Sequence, residues 1–198
     1  LNEEDMASEA KQAELEIARG RQLVQSGNDL IEKGIQTIQA QVEEYILRAK
    51  ALMLDFDNAD RFSLACNAYE RAVELTRNHL SQAELADRLN DYYCFLYDNN
   101  QFTKCEAYIE ECVSIRAELC RDHPETYEPY LADSYNNLAL LYSDTQRFQE
   151  SEAMYKSAIA IRERLAKANP QAYEPDLADS YNNLALLYSD TQRFQESE

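Results

Sequence analysis

Glycine, proline and tryptophan are scarce in this sequence, whose 198 residues include 3 glycines, 4 prolines and no tryptophan. Glycine and proline interrupt helices, so their scarcity, together with abundant Ala, Leu, Glu and Gln, favours α-helix over sheet. No apolar run approaches the roughly 18 residues that a membrane-spanning helix needs. Hydrophobic residues make up 45% of the chain, which is enough for a packed core. We therefore expect an all-α protein without a membrane partner.

Basic residues are also few, with 19 Lys and Arg against 37 Asp and Glu and a formal net charge of −18. Such a chain repels polyanions, which argues against nucleic acid and anionic membrane surfaces as partners. The five cysteines show no CxxC spacing, so they indicate neither a disulfide framework nor a zinc site. This cysteine usage favours a reducing, cytoplasmic compartment.

Patterns that carry catalysis are missing as well. His79 and His123 have no Cys or acidic partners at the spacing of a metal site or a catalytic triad, and no Gly-rich phosphate loop is present. We expect two solvated histidines, no metal, no cofactor and no enzymatic activity.

What the sequence does contain is an internal repeat. The string LADSYNNLALLYSDTQRFQESE runs from Leu131 to Glu152 and again from Leu177 to Glu198, an offset of 46 residues. The same offset applied backwards aligns a further unit without a gap, and a weaker unit lies upstream of that one. We expect an N-terminal helical cap over 1–44, a divergent repeat over 45–84, full repeats over 85–130 and 131–176, and a partial repeat over 177–198.

Each full repeat reads as two helices joined by a short turn. Leu131, Tyr135, Leu138 and Tyr142 recur at helical steps, and a second stripe begins at Phe148. We expect Pro170 to end the second helix and Pro175 to lie in the first turn of the next one. Stacked pairs of this kind bury their apolar faces as a solenoid. The predicted core comprises Tyr135, Leu138, Tyr142, Phe148, Tyr155, Ala158 and Leu165.

The spacing Tyr135-x2-Leu138-Ala139-x2-Tyr142, followed by Phe148, Ser151, Tyr155 and Ala158, resembles the tetratricopeptide repeat (TPR) pattern. The longer string YNNLALLY…RFQESEAMYKSAIAIRERL is similar to the repeats of kinesin light chains. Two features depart from the pattern: the period exceeds the roughly 34 residues of the common repeat, and Ser151 stands where Ala is usual. The resemblance implies a right-handed superhelical solenoid whose first helices line a concave, peptide-binding groove.

The first fifty residues lack the repeat but carry a helical stripe that includes Ile31, Ile35, Ile38 and Val42. Gly20, Gly27 and Gly34 lie seven residues apart, and Ser26-Gly27-Asn28-Asp29 reads as a helix stop and restart. We favour a hairpin of two long helices. The alternative is one continuous helix with coiled-coil character.

Acidic and amide side chains recur on the first helix of each repeat, opposite the apolar stripe. The resemblance implies that Asn137 and Asn183 correspond to groove asparagines that hydrogen-bond the backbone of an extended peptide. The first helix contains no Lys or Arg from Leu131 to Gln146, and the basic residues of that unit fall on its second helix. We therefore expect an acidic, Asn-lined groove. Its candidate residues are Asp87, Asp91, Asp98, Asp133, Asn136, Asn137, Leu140, Asp144, Asp179, Asn182, Asn183, Leu186 and Asp190.

These features predict an interaction scaffold that binds a basic or extended peptide or protein. The alternative is a regulatory or self-association array of a larger protein whose effector domain lies outside this chain. The chain stops at Glu198, before the second helix of the last unit, so we expect a piece of a longer array. Self-association through the apolar strip of that unit, which includes Leu184 and Leu187, is a further expectation.

Overall fold

The computed structural model describes residues 3–191, with the side chains of Gln12 and of residues from Leu15 onward. Helices occupy nearly all of this range and no strand occurs within it, so the all-α prediction is confirmed. The seven helices are α1 (Glu3–Met53), α2 (Arg61–His79), α3 (Gln82–Asp98), α4 (Phe102–Asp122), α5 (Pro124–Asp144), α6 (Phe148–Ala168) and α7 (Pro170–Asp190).

The helices stack in chain order. The extensive contacts join each helix to the one before it and the one after it, from α1 through to α7. Packing of this kind is typical of a solenoid, in which each unit covers the apolar face of its neighbour. The C-terminal part of α1 pairs with α2, α3 pairs with α4, and α5 pairs with α6, so the predicted helix pairs are present.

The turns between the two helices of a repeat have the same geometry in consecutive units. Asn100 and Gln146 adopt positive φ angles of 58° and 61°. The N–H groups of the residues that follow them donate to Leu96 O and Tyr142 O, at 2.9 and 2.7 Å. This is the Schellman arrangement, which satisfies the last carbonyls of a helix and reverses the chain.

Two of the four prolines begin helices, and α6 ends at Ala168, just before Pro170, as expected. Pro124 and Pro170 are the first residues of α5 and α7, where a missing N–H costs no helical hydrogen bond. Pro129 and Pro175 therefore lie inside these helices, and the placement of Pro175 in the first turn is wrong. The unit boundaries drawn at residues 85, 131 and 177 fall inside α3, α5 and α7.

The N-terminal region is one helix, and the favoured hairpin is wrong. α1 continues through Gly27, and no described glycine has a positive φ. A glycine costs a helix about 1 kcal/mol relative to alanine, but it keeps its N–H and does not break the hydrogen-bond ladder. The amide of Gln25 donates to Asp29 Oδ1 at 2.9 Å, across the site of the expected turn.

Most of the predicted core residues are buried. Tyr135 and Leu165 are half-buried against Ile161, whereas Phe148 is 36% exposed and its assignment to the core is wrong. Phe148 is the first residue of α6. The neighbouring Tyr142 ring is covered by the guanidinium of Arg147, which lies 4.0 Å from the ring centroid. The buried members are Leu138, Tyr142, Tyr155 and Ala158.

Three of the five cysteines, Cys66, Cys105 and Cys112, are buried in the core, where a thiol packs as a small apolar side chain. Cys105 and Cys112 have no exposed surface, and every cysteine is a free thiol. Burial raises the pKa of Cys105 to about 11, since the thiolate would lose its hydration. A thiol with a raised pKa is a poor nucleophile, which is consistent with a structural role.

The buried thiol gives the fold a pH dependence on the alkaline side. Because the fold raises the pKa of Cys105 to about 11, its stabilising contribution is complete below the pKa of about 8.5 of a free thiol and is lost as pH rises through the folded value. Between about pH 8 and pH 10.5 we expect the wild-type chain to lose about 1–2 kcal/mol more unfolding free energy than Cys105→Ala. Urea unfolding of both chains measures this difference. Parallel pH profiles would contradict it.

Candidate functional site

A cavity of about 540 Å³ opens between α3 and α5. We call it the α3–α5 groove. It takes its walls from the first helices of two consecutive repeats, as the resemblance implies, and long side chains from α4 and α6 reach into it. The lining residues are Asp87, Arg88, Asn90, Asp91, Arg116, Tyr130, Asp133, Asn136, Asn137 and Arg162.

Asparagine side chains bridge the first helices of successive repeats. Asn137 Nδ2 donates to Asn90 Oδ1 at 3.2 Å, and Asn183 Nδ2 donates to Asn136 Oδ1 at 3.3 Å. We call these contacts the asparagine ladder. The hydroxyl of Tyr93 also donates to the carbonyl of Asn137 at 2.8 Å, which ties α5 to α3. The ladder holds amide side chains in defined positions at the groove.

Two buried arginines form matching bridges at the base of the groove. Arg116 Nη2 donates to Asp87 Oδ1 at 2.9 Å, and its Nη1 donates to Ser134 Oγ at 2.8 Å. Arg162 makes the same contacts one repeat later, to Asp133 Oδ1 at 2.5 Å and Ser180 Oγ at 2.6 Å.

Each of these arginine bridges joins three helices. The arginine belongs to the second helix of a repeat, and its guanidinium contacts the first helix of the same repeat and the first helix of the next repeat. Nη1 of Arg116 also donates to Tyr130 O at 3.0 Å, and Nη1 of Arg162 to Asp176 O at 2.9 Å. Guanidinium groups suit this task because they present several donors in a fixed plane. Arg116 and Arg162 are 5% and 7% exposed.

The bridges correct the expected charge of the groove. Three carboxylates and three guanidinium groups line the cavity, so its walls are balanced rather than acidic. Arg116 and Arg162 do belong to second helices, but a long arginine side chain carries its charge well away from its own helix axis. A sequence signal was present: both arginines fall in the buried stripe at the repeat offset, and a buried arginine requires a partner.

Arg88 and Asp91 form a further charged pair on α3. Their side chains lie 3.3 Å apart, and Arg88 also reaches Glu43 Oε1 on α1 at 3.0 Å. Burial raises the pKa of Asp91, while the charge of Arg88 opposes that shift. Asp91, the residue aligned with Asn137, is thus a carboxylate whose ionised form is stabilised by the positive charge of Arg88.

The remaining candidate residues lie on α3, α5 and α7 but do not line this cavity. Asp144 accepts a hydrogen bond from the Tyr97 hydroxyl, which draws the ends of α3 and α5 together. Leu140 packs with Leu184 against a small core cluster, and Asn183 belongs to the asparagine ladder. The exposed members are Asp98, Asp144, Asp179, Asn182, Leu186 and Asp190.

The part of the chain that the structure describes holds no group of three or more His, Cys, Asp or Glu side chains placed to bind a metal ion. Within that same part, none of the helices has the length and hydropathy needed to cross a membrane. His79 and His123 are exposed at the end of α2 and between α4 and α5.

The fold and groove define the class of α-solenoids built from antiparallel helix pairs. Residues 131–171 and 177–198 match the tetratricopeptide repeat family. These two segments are therefore tetratricopeptide repeats, and the prediction of this repeat type is confirmed. No curated protein matches the chain by sequence.

Solved structures of repeat proteins share the fold. BtubC (BKLC) from P. vanneervenii is 24% identical over 79% of this chain, with a TM-score of 0.61, and the aligned part spans 58% of the BtubC chain. A Podosopora anserina putative kinesin light chain with nearly identical TPR-like repeats is 17% identical, with a TM-score of 0.52 over 85% of this chain and 87% of its own. A variant of that protein gives a TM-score of 0.53 at the same identity, over 85% of this chain and 86% of its own.

Proposed function

We propose that this protein is an interaction scaffold whose α3–α5 groove binds an extended peptide segment of a partner protein. Tetratricopeptide repeats are protein-interaction modules, typically without catalytic activity, which supports the general class. The observation that carries the specific proposal is the asparagine ladder, since it places amides from two repeats along one cavity.

The ladder leaves the amides with bonding capacity for a ligand. An asparagine side chain offers two donors and two acceptors, and one ladder bond uses only a part of them. Asn136 and Asn137 both line the cavity, so their amides can bond the N–H and C=O groups of a peptide backbone. An extended chain repeats such groups along its length, whereas a helical ligand uses them internally.

The preference of the groove for charge follows from its walls and its surroundings. The cavity is balanced in charge, so its centre suits an uncharged backbone. Acidic side chains lie beyond it on α3 and α7, including the exposed Asp98 and Asp179, and the chain carries a net charge of −18. Basic residues flanking an extended core are therefore the preferred peptide chemistry, and added salt weakens this part of binding by screening.

Replacing Asn137 tests the proposal directly. For a peptide selected from a random library displayed on phage, Asn137→Ala is expected to lower affinity about tenfold, because removing a backbone-binding amide costs about 1–1.5 kcal/mol. Isothermal titration of the synthetic peptide measures this change.

The control is Asn67→Ala, an exposed asparagine on α2 that does not line the groove. It should leave the affinity unchanged. Equal affinities for Asn137→Ala and the wild-type chain, with both folded by circular dichroism, would refute the assignment. Selection of acidic peptides over basic ones would refute the charge preference alone.

A regulatory or self-association array within a larger protein is the second candidate, and the exposed apolar face of α1 favours it. The expected association through the last repeat stays a prediction. Leu187 and Tyr188 are buried against the preceding repeat, so less of the apolar strip of the last unit is exposed for such an association. Residues 192–198 lie outside the described part of the chain.

A further inference from the structure

The N-terminal half of α1 carries an apolar face that nothing in the described chain covers. Ile17, Val24 and Ile31 are 55–64% exposed, and Leu23 and Leu30 are 70% and 68% exposed. Residues 15–35 extend over about 30 Å of helix. Farther along α1, the same helical stripe continues through Ile38 and Val42 into the core. The face of α1 that packs in the core thus continues toward the N-terminus without a partner in the described chain, and an exposed apolar surface of this kind is typical of an interaction site.

Three glycines share this face. Gly20, Gly27 and Gly34 each follow a large apolar residue by three positions, so both series recur every seven residues. An added Cβ at any of the three glycines would meet no atom within 4 Å, so packing within the chain does not require them. Each costs the helix about 1 kcal/mol relative to alanine. Close approach of another helix gives these glycines a physical role.

The seven-residue period and the size pattern specify the partner. Residues at a and d positions of a heptad form the seam of a coiled coil, here with Ile or Val at a and Gly at d. In an antiparallel pair each a residue meets a d residue, so large side chains fill the space above glycines. In a parallel pair a meets a and d meets d, and the Gly layers would leave gaps. The antiparallel layers are Ile17 with Gly34, Val24 with Gly27 and Ile31 with Gly20.

The charges agree with pairing to a second copy in this register. Residues 15–38 contain three acidic and three basic side chains, so this arm is neutral although the whole chain carries −18. The stretch before Gly27 carries Glu16, Arg19 and Arg21, a net charge of +1, and the stretch after it carries Asp29, Glu32 and Lys33, a net charge of −1. Antiparallel copies place the basic stretch of one arm level with the acidic stretch of the other, whereas parallel copies align like charges.

We propose that the exposed arm of α1 pairs with the same arm of a second chain as an antiparallel, glycine-layered coiled coil, giving a two-fold symmetric dimer. This inference goes beyond the proposed peptide-binding function and does not depend on it. The pairing leaves the repeats of both chains at opposite ends of the seam, so each dimer carries two α3–α5 grooves.

Gly27→Leu tests the close approach. Leucine is a better helix former than glycine, so the substitution strengthens an isolated helix, but its bulk fills the space that Val24 of the second copy occupies. Sedimentation equilibrium should show a dimer for the wild-type chain and at least about a tenfold weaker association for Gly27→Leu. The matched control, Gln22→Leu, adds the same side chain on the opposite face and should leave association unchanged.

Cysteine crosslinking tests the orientation. In the antiparallel register Leu23 of one copy flanks Leu30 of the other, so an equimolar mixture of Leu23→Cys and Leu30→Cys chains should form a disulfide-linked heterodimer. Each variant alone should remain largely uncrosslinked, as should the parent chain. In a parallel pair, position 23 of one chain and position 30 of the other lie about 10 Å apart along the helix axis, so the mixture would form no disulfide-linked heterodimer, and that result would overturn the proposal. A monomeric wild-type chain at high micromolar concentration, or a dimer unaffected by Gly27→Leu, would also overturn it.

Discussion

Replacing Arg162 with methionine is expected to lower the free energy of unfolding by about 2–4 kcal/mol, since three bonds to a charged donor are lost and Ser180 Oγ stays buried without its partner. Met has a similar length and fills the space apolarly, so the loss reports on the bridge rather than on a cavity. The same change leaves Asp133, which is half-exposed, without its counter-charge in the groove. Urea unfolding followed by circular dichroism measures the effect.

Arg164 provides the matched control, two residues farther along α6. Its Nη2 lies 2.6 Å from Glu128 Oε1, but its side chain is 57% exposed, so water replaces that contact at little cost. Arg164→Met should lower stability by less than about 1 kcal/mol. If Arg162→Met is as mild as this control, the buried bridge does not stabilise the helix stack.

Truncation of Leu138 is expected to have an effect of comparable or larger size. Leu138 is 4% exposed and belongs to the main core cluster, so Leu138→Ala leaves a cavity between packed helices. The expected loss is about 2–5 kcal/mol of unfolding free energy, from the lost transfer term and the cavity together. The midpoint of urea unfolding should fall accordingly.

Leu186→Ala is the corresponding surface control. Leu186 lies on α7 and is 62% exposed, so its truncation should change stability by less than about 0.5 kcal/mol. An unchanged midpoint for Leu138→Ala would contradict the burial of this face of α5. A large loss for Leu186→Ala would indicate that a second surface covers α7 in solution.

The repeat made most of the fold predictable. Because the same string recurs at a fixed offset, equivalent positions must have equivalent structure. The helical spacing of Leu138 and Tyr142 therefore identified the buried face of the first helix in each repeat. The single-helix form of α1 was harder to predict, because Ser26-Gly27-Asn28-Asp29 is compatible with both a turn and a helix interior. Local sequence does not show whether tertiary contacts would stabilise a turn at this point, and in the structure the helix continues through Gly27.

The groove was predictable in position but not in charge. Helical spacing placed Asp133 and Asn137 on one face, and the structure brings both into the cavity. Spacing along one helix gives no information about side chains that arrive from another, and Arg162 reaches Asp133 from α6. Assigning each charge to the helix that carries it therefore gave the wrong charge for the groove, because a long side chain can place its charge beside another helix.

The most direct test of the central claim is to locate a bound peptide on the scaffold. Asparagine side-chain amides labelled with ¹⁵N report contact at their own positions when a library-selected peptide is titrated in. The largest shifts are expected at Asn136 and Asn137, with little change at Asn67 and Asn78 on α2. Shifts confined to α2, or uniform small changes with no response from Asn136 and Asn137, would contradict binding in the α3–α5 groove.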